Sequence, residues 1–175
     1  MRFALLLLAI YTTGVSADSF DFRRATDDPQ VLGSLQDLAF RGANLSDGQE
    51  VAAFIVRDGS GGTACWLWPH PANVRSEHYR GGIPTGTVAV AHTHPLGSEQ
   101  PSRGDVAESK RIGLPIYVIS RWDLYVVDPQ TGERVPLIAH KNWMRGGSRN
   151  QCRSMIRAEE QQIVTVRPSD STAQH

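Results

Sequence analysis

Apolar positions recur along this chain with two different periods, and the switches between them mark the elements. Over residues 29–44, Val31, Leu32, Leu35, Leu38, Ala39 and Phe40 recur three and four apart, the spacing of one helix face. Pro29 suits a first helical turn, Asp27 or Asp28 can cap it, and Gly42 and Asn44 suit its end. The period then falls to two. Residues 50–57 and 63–68 are predicted as strands joined by a turn at residues 58–62, which is rich in Asp and Gly. Residues 73–79 read as a strand or a loop, interrupted afterwards by Gly81, Gly82 and Pro84.

Residues 87–94 form a further strand, and 102–112 a short helix ending near Gly113. Residues 115–120, 124–128 and 134–138 are three more strands, the last two separated by the turn Pro129-Gln130-Thr131-Gly132. Beyond them the pattern weakens. Residues 151–162 are expected to be helical, and 167–175 to be a polar, frayed tail. Strands interleaved with helices place the chain in the α/β class.

The two ends differ in chemistry. Arg2 precedes the apolar run Phe3 to Ile10, and Val15 and Ala17 are small residues at the −3 and −1 positions of a cleavage site. That is the pattern of a secretory signal peptide. The run is too short for a bilayer, which needs about 20 residues. The expected organisation is therefore a signal peptide over 1–17, one domain over 18–140, and a C-terminal extension over 141–175. A periplasmic or secreted location follows, with no stable membrane insertion. Basic and acidic residues balance at 18 each, so charge makes no case for nucleic acid as a partner. In an oxidising compartment the pair Cys65 and Cys152 permits one disulfide. Two separate buried thiols are the alternative.

The candidate chemistry lies at the end of the 87–94 strand. His92 and His94 are two apart, so a strand turns both imidazoles to one face. Ser102-Arg103-Gly104-Asp105 follows after a short loop. It is a capping box that puts Asp105 in the first turn of the next helix. Two histidines and one carboxylate are the three-ligand set of a catalytic zinc site with an open fourth position. Other metal motifs do not fit. There is no His-Glu-x-x-His. The His-x-His is not followed by the Asp-His of metallo-β-lactamases. A chain of 175 residues is short for an amidohydrolase barrel, which needs about 200 or more.

Spacing sharpens this reading. Seven residues separate His94 from Ser102, two separate Ser102 from Asp105, and Glu50 opens the upstream strand. The set Glu50, His92-Thr93-His94-Pro95, Ser102 and Asp105 resembles the JAMM (MPN+, or JAB) family of metallopeptidases, over about half the chain. The resemblance implies an αβα arrangement around a curved mixed sheet. It implies Zn2+ held by His92, His94 and Asp105, Glu50 as general base, and Ser102 as oxyanion donor. It implies hydrolysis of a peptide or isopeptide bond in a protein or peptide substrate. An exported member would act on an envelope protein, a peptidoglycan peptide or a secreted target. Non-catalytic binding or assembly on the same fold is the alternative. Ala91 stands where eukaryotic members often carry an aromatic residue, which implies a smaller wall beside the metal.

Overall fold

The computed structural model describes residues 20–43, 50–69, 82–94, 100–140, 143 and 150–155. The expected signal peptide, the 73–79 segment, Pro95 and the tail from residue 156 onward lie outside them.

The chain forms a seven-stranded mixed sheet with helices packed on it. A 3-10 segment, Phe22–Asp27, leads into helix α1, Pro29–Ala43. Asp28 caps α1: its carboxylate accepts the amides of Gln30 at 2.8 Å and Val31 at 3.3 Å. These are two of the four amides that a helix start leaves unpaired. The strands are β1 (Ala52–Arg57), β2 (Thr63–Leu67), β3 (Thr87–Thr93), β4 (Ile116–Ile119), β5 (Leu124–Val127), β6 (Arg134–Ile138) and β7 (Cys152–Ser154). Helix α2, Arg103–Ile112, crosses over between β3 and β4, which are therefore parallel.

The spatial order is β6-β5-β4-β3-β1-β2-β7. The central strands are buried on both faces, which is why β1 and β4 read as apolar runs rather than as clean alternation. On one face Ala53, Ile55, Ala89, Ala91, Tyr117 and Val126 pack against Val31, Leu35, Leu38 and Ala39 of α1. Burial of each large aliphatic side chain there contributes about 1.5–3 kcal/mol. The opposite face carries Phe54, Val56, Val90, Ile116, Val118 and Val127, with Val106 and Ile112 of α2 against it. Burial pushes the Tyr117 hydroxyl well above its ordinary pKa, and that hydroxyl donates to Phe22 O at 3.0 Å.

The expected helix over 151–162 is corrected at its start. Cys152–Ser154 is a strand, parallel to β2, with Cys65 opposite Cys152. Three constraints outweigh the local helical pattern there. Cys65 and Cys152 form a disulfide, with Cα atoms 4.5 Å apart. The Cys152 amide donates to buried Asp37 at 2.8 Å. The same Asp37 pairs with Arg41 one turn along α1. The disulfide spans 87 residues of sequence, so it removes much entropy from the unfolded chain. A Cys65→Ala/Cys152→Ala variant is expected to lose about 4 kcal/mol, lowering Tm by about 10 °C for a domain of this size. Calorimetry beside the oxidised wild type checks this. An unchanged Tm would show that the bridge constrains nothing.

Two surface ion pairs of Arg23 tie the first segment to the β5–β6 turn. Arg23 reaches Asp128 at 2.8 Å and Glu133 at 3.0 Å. The Arg23 guanidinium, followed by the Gln130 amide, holds the Asp128 carboxyl down at about 2. An unfolded aspartate titrates near about 3.9. The contribution is therefore complete above that value and is lost as pH falls towards 2. Arg23→Ala is expected to move the Asp128 carboxyl titration upward, read by NMR, and to flatten the acid dependence of stability in that window. An unmoved Asp128 titration would contradict the assignment.

Candidate metal centre

The site is built where β3 ends and α2 begins. Period two along β3 turns His92 and His94 to the face that α2 covers, and Ala91 and Thr93 to the α1 face. The Nε2 atoms of His92 and His94 lie 3.0 Å apart. Asp105 Oδ1 is 3.2 Å from His92 Nε2, and Asp105 Oδ2 is 3.8 Å from His94 Nε2. These three side chains are 12–14% exposed.

Those separations can be compared with what a metal requires. Ligand distances of about 2.0–2.1 Å at tetrahedral angles put donor atoms about 3.3 Å apart. The closest pairs here, 3.0 and 3.2 Å, are near that edge length. Two imidazole nitrogens and a carboxylate oxygen also suit zinc chemically. The described residues contain one group of three or more His, Cys, Asp or Glu side chains able to hold a metal ion, and it is His92, His94 and Asp105.

The helix cap orients the carboxylate. Ser102 Oγ accepts the Asp105 amide at 3.1 Å, and the Ser102 amide donates to Asp105 Oδ2 at 2.5 Å. That reciprocal pair satisfies two donors at the start of α2. It also leaves Oδ1 as the oxygen nearest His92, the outer-shell arrangement that steers a ligating carboxylate. Burial raises the Asp105 pKa, but the neighbouring His92 and the Ser102 hydrogen bonds outweigh it and hold the carboxyl well below its usual range. Its ionised form is the form that binds metal.

Glu50 arrives by strand register. Ala52 stands opposite His92, and Thr93 N donates to Val51 O at 3.0 Å. Continuing that register by period two sets half-buried Glu50 opposite His94, on the same face. Beyond Ala52 on this face comes Trp68, whose amide donates to Ala52 O at 2.9 Å and whose ring lies 5.3 Å from that of Phe54. The expected smaller wall at Ala91 is corrected. Ala91 is fully buried on the α1 face, because a residue adjacent to a ligand on a strand points away from it. Ala52 is the small residue opposite His92, a cross-strand register that residue spacing alone does not show.

Of the remaining histidines, His140 is described and is 84% exposed, 3.8 Å from Asp123. It stands outside the ligand group. Comparison with known protein-family models, curated proteins and solved structures returns no match for this chain. No helix among the described residues is long and apolar enough to cross a membrane.

Proposed function

We propose that this protein is a zinc-dependent metallopeptidase of the JAMM type, hydrolysing a peptide or isopeptide bond. The observation that carries the reading is the convergence of His92, His94 and Asp105 at donor separations of 3.0 and 3.2 Å. The order of helix, strands, motif strand, helix and strands around a mixed sheet supports a JAB-like fold. His92, His94 and Asp105 would hold the ion.

When bound, zinc supplies Lewis acidity and brings the pKa of a coordinated water to about 7. The Glu50 carboxylate accepts the proton released on attack and returns it to the leaving nitrogen. The Ser102 hydroxyl, whose oxygen accepts the Asp105 amide, donates its proton to the oxygen that gains charge at the scissile carbonyl. The Ser102–Asp105 cap keeps both groups in register through the reaction. The leader-like N-terminus favours an exported enzyme whose substrate is an envelope protein, a secreted protein or a peptidoglycan peptide.

Elemental analysis of the purified chain after zinc reconstitution tests the reading. About one zinc per chain is expected for a single three-ligand centre. None after reconstitution would overturn it and move non-catalytic binding or assembly to first place.

A further inference from the structure

Thr93 lies between the two histidines, and its side chain is turned away from them. It is 3% exposed, on the face under α1. Its amide donates to Val51 O at 3.0 Å, the ladder bond of an opposed antiparallel pair. The return bond departs from the ladder. Val51 N donates instead to the Thr93 side chain, at 3.0 Å to Oγ1. Both polar main-chain groups of Val51 are thus held by one residue.

That second bond bears on Glu50. The Val51 amide belongs to the peptide plane whose other end is the Glu50 Cα, and the plane is rigid. Fixing the amide therefore fixes the position of the Glu50 Cα and its bond to that plane, which limits the directions the Glu50 side chain can take. The Thr93 hydroxyl is itself held. A Cβ on Gly42 of α1 would lie 2.5 Å from Thr93 Oγ1 and 2.7 Å from its Cβ and Cγ2. The α1 backbone therefore sits directly against this side chain. A β-branched residue so confined has little χ1 freedom.

We propose that Thr93 is a positioning residue for Glu50: its hydroxyl, pressed against Gly42, sets the peptide plane that aims the Glu50 carboxylate at the point where His92, His94 and Asp105 converge. The proposal rests on the metallopeptidase reading, and it explains a hydroxyl at a buried position where valine would fill the same shape. Valine offers no acceptor and strands the buried Val51 amide.

The test loads the chain with Co2+ alone, whose visible bands report the surroundings of the ion. Glu50→Gln displaces those bands. Thr93→Val is expected to displace them in the same direction, and the Thr93→Val/Glu50→Gln double variant to go no further than Glu50→Gln, because the two act through one group. Thr93→Ser keeps the acceptor and keeps the wild-type bands. In Thr93→Val the Val51 amide is expected to exchange with solvent about five-fold faster. Wild-type bands in Thr93→Val beside displaced bands in Glu50→Gln overturn the proposal alone. Failure of the wild-type chain to take up Co2+ overturns the metal reading itself, and the proposal with it. Should Thr93→Val not fold, Thr93→Cys, a weak acceptor, is read by the same criteria.

Discussion

Glu50→Gln is expected to retain its zinc and its fold while turnover falls by about 10²- to 10⁴-fold, the usual contribution of a positioned general base. The substitution keeps the shape of the side chain and removes only its capacity to take a proton. Glu50 stands outside the group of three that converges on the ion site, so metal content is insulated from the change. The measurement is cleavage of envelope-protein peptides and peptidoglycan fragments, with zinc analysis on the same samples. This variant separates an enzyme from a zinc-stabilised binding or assembly protein, which has no use for a base at this position. Cleavage at the wild-type rate would sink the mechanism while leaving the metal centre intact.

His94→Ala is expected to abolish zinc binding. The variant leaves one imidazole and one carboxylate, too few to hold an ion that prefers four ligands. His140→Ala is the matched control, since His140 is exposed and outside the group. Elemental analysis of the three proteins side by side decides the matter. Full zinc in His94→Ala would defeat the ligand assignment.

Much of this architecture is legible from local pattern. The strands from β1 to β6 and both helices were expected from the period of their apolar positions or from the capping and turn residues that bound them. Asp58-Gly59-Ser60-Gly61-Gly62 ends β1, and left-handed Gly113 ends α2. The pairing of His92 with His94 was visible for a simpler reason, since period two needs no tertiary information. What stayed hidden depends on partners far away in sequence. The strand β7 exists because residues 65–67 lie beside it and because Asp37 holds its first amide. A helical composition cannot announce either fact. Ala91 was misplaced by adjacency in sequence, which on a strand is separation in space. Thr93 was visible as a motif residue, but its grip on Val51 depends on a cross-strand register.

The position of β7 also has a consequence for how the chain reaches its native state. It is the last described strand in sequence, yet it covers the outer side of β2, the second strand. Until residue 152 is available, β2 presents a bare hydrogen-bonding edge of the kind that recruits other strands. Local contacts cannot shorten that interval, because the pairing closes 87 residues at once. The exposed interval ends when the Cys65–Cys152 bridge closes, so an oxidant acts on this protein as a folding partner: it converts a slow, reversible encounter of two distant segments into a permanent edge.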